Sequence, residues 1–138
     1  MGPQIFTCAN CGRALTRTIT RLAELPEAKQ TDEISYEPTL EVGSWAVDPG
    51  PRLRTADGDP ASTLGCLVTN PEDAPDLKPH PEPRRSSGCC GHDGLDGPNR
   101  LCPACDAEVA TLSDDCWTLV ELRFEPRAVR VVAIQSNS

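Results

Sequence analysis

The sharpest pattern of apolar and polar positions lies in the last third of the chain. Val120, Leu122 and Phe124 alternate with Glu121, Arg123 and Glu125, and Val129, Val131 and Ala133 resume the alternation after Glu125-Pro126-Arg127-Ala128. A period of two marks strands with one apolar face, and a proline in a short polar link marks a turn. Residues 117–134 are therefore expected to form a hairpin. Alternate threonines in 16–22 favour a second strand region. Residues 40–47, held between Pro38 and Asp48-Pro49-Gly50-Pro51, predict another strand, and 63–69, closed by Asn70-Pro71, a short one. Residues 107–112 also fit a short helix.

Between these segments the pattern dissolves. Eight prolines fall within 49–83, including Pro79-His80-Pro81-Glu82-Pro83, and proline removes backbone donors and fixes φ, so the tract predicts extended loop and not helix. The expected organisation is one β-rich, mostly antiparallel domain over 1–138. It has an acidic, proline-rich, loop-like insertion at 48–88 and a frayed tail at 135–138.

Composition sharpens this. Hydrophobic residues make up 38% of the 138 and aromatics only 4%, so burial of apolar surface alone gives a thin core. Eight cysteines are far more than packing requires. No apolar run is long enough to cross a bilayer, residues 1–6 lack the pattern of an export signal, and Pro3 and Phe6 spoil a lipidation site. The expected compartment is the cytoplasm, where thiols stay reduced and cysteine pairs hold metal more often than they form disulfides.

Two motifs fit metal directly: Cys8-Ala-Asn-Cys11-Gly12 and Cys102-Pro-Ala-Cys105-Asp106. Two intervening residues let the backbone turn so that both sulfurs face one point, and two such knuckles complete a tetrahedral zinc site. Gly12 suits the left-handed position after the second cysteine, and Asp106 tolerates it better than most residues. Ninety residues separate Cys11 from Cys102. Closing that loop costs about 4 kcal/mol, against roughly 10–16 kcal/mol of apparent binding for a structural zinc ion, so the metal prevails.

Cys89, Cys90 and Cys116 are candidates for a second zinc site. Either they join His92, or Cys89 or Cys90 pairs with the Cys102–Cys105 knuckle; the spacing fits both. His92 beside Asp93 reads equally as ligand or turn residue. Cys66, among Leu64, Leu67 and Val68, reads as a small buried hydrophobe, and His80 between two prolines as exposed loop. Neither knuckle follows an apolar strand to open a helix, which counts against thiol redox catalysis. The deaminase pattern and a calcium loop are both absent from the sequence.

The knuckles resemble those of zinc-ribbon and rubredoxin-type proteins. Ser87-Gly-Cys-Cys-Gly91, Gly97-Pro-Asn99, Cys102-x-x-Cys105, Glu108-Val-Ala-Thr111 and Asp115-Cys-Trp117 together are similar to small cysteine-rich proteins of actinobacteria. The first resemblance implies an adaptor for nucleic acid or protein; the second implies no particular activity.

Charge then separates the partners. The net charge is −8, but residues 1–22 carry Arg13, Arg17 and Arg21 and no acid, while 23–116 hold seven basic and nineteen acidic residues, a balance of −12. An acidic middle repels phosphate. The expectation is a non-catalytic module, stapled by one or two zinc ions, that binds another protein. The alternatives are a nucleic-acid-associated ribbon using Arg13, Arg17, Arg21, Arg123, Arg127 and Arg130 on one face, and a thiol-based redox or zinc-sensing protein.

Overall fold

The computed structural model describes residues 2–31, 35–50, 53–54, 60–61, 63–86, 91–92, 94, 97–115 and 118–134. Where β-branched and aromatic residues gather, the chain runs extended. The strands are β1 (Pro3–Cys8), β2 (Ile19–Arg21), β3 (Ser44–Val47), β4 (Leu53–Arg54), β5 (Pro60–Ala61), β6 (Leu67–Thr69), β7 (Lys78–Pro79), β8 (Arg100–Leu101), β9 (Glu108–Ser113), β10 (Glu121–Phe124) and β11 (Val129–Ala133). Two 3-10 turns, Pro71–Asp73 and Pro83–Ser86, punctuate the proline-rich tract. Asn70 caps the first of these by accepting from the N–H of Glu72, and its amide donates to the carbonyl of Leu40.

One nine-stranded sheet runs in the order β11-β1-β2-β3-β6-β10-β9-β8-β7, while β4 and β5 form a separate ribbon. Every pairing is antiparallel except β2 with β3. The sheet cannot be flat. In a flat sheet β10 and β11 would stand five strand spacings apart, about 24 Å, yet the chain from Phe124 to Val129 reaches at most about 18 Å. The link is further shortened by a turn bond from the N–H of Ala128 to the carbonyl of Glu125. The sheet therefore curls into a half-barrel.

Three aromatic rings fill its inside. Phe6 on β1 meets Trp45 on β3 edge-on at 5.0 Å and Phe124 on β10 at 5.2 Å, although β1 and β10 are not neighbours in the sheet. Ile19, Val109, Ala110, Leu122 and Val129 complete the packing, and Cys8 and Cys102 belong to the same cluster.

The structure corrects several sequence expectations. Both strands foreseen in 117–134 form, but not as a hairpin: β10 lies between β6 and β9, and β11 pairs with β1, in register from Gln4 opposite Ala133 to Cys8 opposite Val129. Residues 107–112 are extended and contribute to β9 rather than to a helix. In 40–47 only Ser44–Val47 is strand, with Leu40 buried in the segment before it. The short strand expected in 63–69 forms over Leu67–Thr69 alone, as a central strand of the sheet.

Arg123 is the largest correction. Its alternation with Leu122 and Phe124 suggested an exposed face, yet all four residues of β10 are buried. The Arg123 guanidinium donates to Glu121 at 3.1 Å and to the carbonyl of Gly94, while Thr39 donates to the other Glu121 oxygen at 2.8 Å. Burying these charges is tolerable because they satisfy one another.

Candidate metal centre

β1 and β8 each deliver a cysteine at the end of a strand, where the backbone turns through a knuckle. The two turns share their hydrogen bonds. The N–H of Cys8 donates to the carbonyl of Arg13 and that of Gly12 to Cys8; the N–H of Cys102 donates to Ala107 and that of Asp106 to Cys102. The residue after each second cysteine is left-handed, Gly12 at φ +80° and Asp106 at φ +64°, and Asp106 is alone in this among the described non-glycine residues. The Cys11 sulfur accepts from the backbone of Arg13, and the Cys105 sulfur from that of Ala107. Each donor stands two residues beyond its cysteine.

Both knuckles aim at one point. The sulfurs of Cys8, Cys11, Cys102 and Cys105 all lie within 4.8 Å of one another. Cys8 and Cys105 are 3.6 Å apart, as are Cys11 and Cys102. A tetrahedron of thiolates around zinc has edges of about 3.8 Å, and a disulfide would need about 2.05 Å, so the spacing suits a shared ion and not a covalent bond. Cys8 and Cys102 are buried in the core, Cys105 is half-buried and Cys11 is exposed.

As free thiols Cys11 and Cys105 would titrate unequally. At Cys11 the Arg13 N–H favours the thiolate, but desolvation and hydrogen bonds with Cys102, Cys105 and Cys8 outweigh it and push the thiol up to about 12. At Cys105 the side chain of Asn10 and the N–H of Ala107 overcome desolvation and draw it down to about 6. A divalent cation at the centre favours the thiolate at all four. The donor set, its spacing and its N–H···S bonds are thus geometrically suited to coordinate zinc. Four protein ligands leave no open position for a substrate.

The surroundings of the knuckles differ. Beside the second, Lys78 pairs with Asp106, while Arg85 and His80 face Glu108 at 3.1 and 3.7 Å. Beside the first stand Arg13, Arg127 and Arg130, all exposed; no ion pair involves them among the described residues.

The other candidates stand apart from this centre. Cys89, Cys90 and Cys116 lie outside the described residues, as do residues 135–138. Among the described residues, His92 joins no metal cluster; both its backbone N–H and Nδ1 meet Asp114. His80 is more than exposed loop, since its Nδ1 accepts from the N–H of Glu82. Cys66 is buried in a turn before β6, and burial above all pushes its thiol up to about 11.

The sequence reading missed β1 itself, along with Asn10 and Lys78. Ile5-Phe6-Thr7 is a compact β-forming run whose signal was there; Lys78 reaches Asp106 only through the pairing of β7 with β8.

Fold and site define a small, mostly antiparallel β half-barrel with a four-cysteine metal site, consistent with a zinc-ribbon-like fold. No family model matches the chain, and neither a curated protein nor a solved structure was found similar to it. The likeness to zinc ribbons therefore rests on the four-cysteine cluster. Among the described residues no helix is long and apolar enough to cross a membrane.

Proposed function

We propose that the chain is a non-catalytic module, stapled by zinc, that binds another protein. The closed four-sulfur site carries this reading. Every ligand position is taken by protein, the sulfurs of Cys11 and Cys105 are tied by backbone N–H groups, and those of Cys8 and Cys102 are part of the core, so the ion serves the fold. A structure held in this way presents surface, and the surface outside the metal centre is free to recognise a partner.

Arg123 bears on the nucleic-acid alternative. Engaged with Glu121 and Gly94, it is withdrawn from any phosphate-binding face. Arg13, Arg17, Arg21, Arg127 and Arg130 remain exposed, and the guanidinium of Arg21 stacks over the Trp45 ring at 5.3 Å. These arginines belong to a chain of net charge −8, which opposes polyanion binding over roughly a Debye length.

The test is a titration of zinc-loaded protein with labelled single- and double-stranded oligonucleotides at roughly 50 and 200 mM salt, beside selection from a displayed peptide library. The reading expects peptides that bind saturably and oligonucleotides that bind weakly. Sub-micromolar oligonucleotide affinity with a steep salt slope, and no enriched peptide, overturns it.

A further inference from the structure

The two edges of the nine-stranded sheet are built differently. β7, at one edge, has two residues, one of them Pro79, and Pro81 follows it. Proline, charge and shortness are the usual means of keeping a sheet edge from pairing. β11, at the other edge, has five residues, no proline and one charge, Arg130. It also exposes Val131 and Val132 by 39% and 41%.

The register fixes which backbone groups are open. Ala9 donates to the carbonyl of Ala128 and Ile134 to that of Pro3, so residues 130 and 132, in step with them, turn their N–H and C=O groups toward β1. Val129, Val131 and Ala133 then turn theirs outward, and among the described residues β11 has a strand neighbour on one side only. Side chains alternate as well. Val129 is buried in the core with Val131 and Ala133 on its side of the sheet, while Arg130 and Val132 lie on the other beside Thr7 and Ile5.

Charge selects the occupant. Arg127 and Arg130 flank the start of this edge. Both are exposed, and neither is ion-paired among the described residues. A second copy would set the same arginines against themselves.

We propose that the open edge of β11 accepts an extended, acidic segment of another protein as an added strand, paired to Val129, Val131 and Ala133 and drawn in by Arg127 and Arg130. This rests on the protein-binding reading above and assigns it a surface. Backbone pairing supplies affinity, and alternate contacts with Val131 and Val132 supply register.

The test uses the zinc-loaded full chain and a short labelled peptide of alternating glutamate and valine. Val131→Pro removes an outward N–H while leaving the bonds to β1 in place, since proline is tolerated where the N–H of an edge strand faces solvent. The peptide is expected to bind the parent chain, and Val131→Pro to weaken binding by at least about tenfold with zinc content and circular dichroism unchanged. Reversing Arg127 and Arg130 to Glu should shift preference to a second peptide in which lysine replaces each glutamate.

Hydrogen exchange on the parent chain is independent of how that variant folds: the amides of Val131 and Ala133 should gain protection on peptide addition. Unaltered exchange there, or full binding by Val131→Pro, removes β11 as the site and leaves the protein-binding reading standing. A parent chain that dimerises with concentration, and loses this with Val131→Pro, gives the edge to a second copy and overturns the acidic-segment assignment. An oligonucleotide that outcompetes the peptide overturns both readings.

Discussion

Residues 8–13 and 102–107 fold into the same knuckle, yet one lies under arginines that make no ion pair among the described residues and the other under paired charges. Hydrogen bonds, left-handed residue and N–H···S contacts repeat from one to the other. Around the second, Lys78, Arg85 and His80 meet Asp106 and Glu108; around the first, Arg13, Arg127 and Arg130 point to solvent. Holding a metal dictates the backbone of a knuckle and little of what surrounds it. The symmetric part supports the fold, and the asymmetric part is where recognition can differ.

The symmetry is tested hardest at the sulfurs. Cys8→Ser and Cys102→Ser each remove a buried ligand at the seam of metal and core. Both should release zinc and abolish cooperative unfolding, to the same degree, as elemental analysis and circular dichroism would show. Chelation of the parent chain should do likewise, because binding energy of roughly 10–16 kcal/mol exceeds the stability of a typical domain. Loss of metal in one variant alone would mean that the two knuckles do not share one ion.

This centre was legible in the sequence because its chemistry is local. Spacing, Gly12 and Asp106 sit within a few residues of the sulfurs they serve, and only convergence across ninety residues had to be supplied by the ion. The strands were legible where apolar positions alternate, as in 129–133. Their partners were not, because pairing is decided by curvature and long-range register, so β10 and β11 part company across a turn that reads as a hairpin. Central strands buried on both faces also lose the alternation that identifies a strand. In β10 the buried Glu121–Arg123 pair restores a false one.

That pair supplies the second test, which separates arginines the fold uses from those the first knuckle displays. Arg123→Met takes the neutralising cation from Glu121, which is fully buried and keeps the Thr39 hydroxyl on its other oxygen. It should cost about 3–5 kcal/mol, measured by denaturant unfolding. Arg127→Met, on an exposed turn, should change stability by less than about 0.5 kcal/mol. Equal effects would erase the distinction between structural and displayed charge.

A smaller effect probes the left-handed position that the knuckles fill differently. No atom lies within 4 Å of a Cβ added at Gly12, so Gly12→Ala meets only backbone strain, about 1–2 kcal/mol. Asp106→Gly relieves the same strain at the matching position and loses the exposed partner of Lys78. The two substitutions should therefore move the unfolding midpoint in opposite directions, or leave Asp106→Gly close to the parent. A Gly12→Ala variant as stable as the parent would show that the metal holds the turn without needing a left-handed residue there.

The smallest effect concerns the charges themselves. Lys78 and Asp106 are 45% and 65% exposed at their side chains, and pairs so open to solvent contribute between about 0 and 1 kcal/mol. Lys78→Ala should thus lower stability slightly at low salt and hardly at all at high salt, where screening has already removed the attraction. Arg13→Ala, which breaks no ion pair among the described residues, should be neutral at both. Denaturation of the two variants at low and high salt reads the contrast directly. A loss well above 1 kcal/mol for Lys78→Ala that persists in salt would mean that the pairing of β7 with β8 depends on it. The second knuckle would then owe its geometry to charge as well as to sulfur, and the two knuckles could no longer be treated as one backbone in two settings.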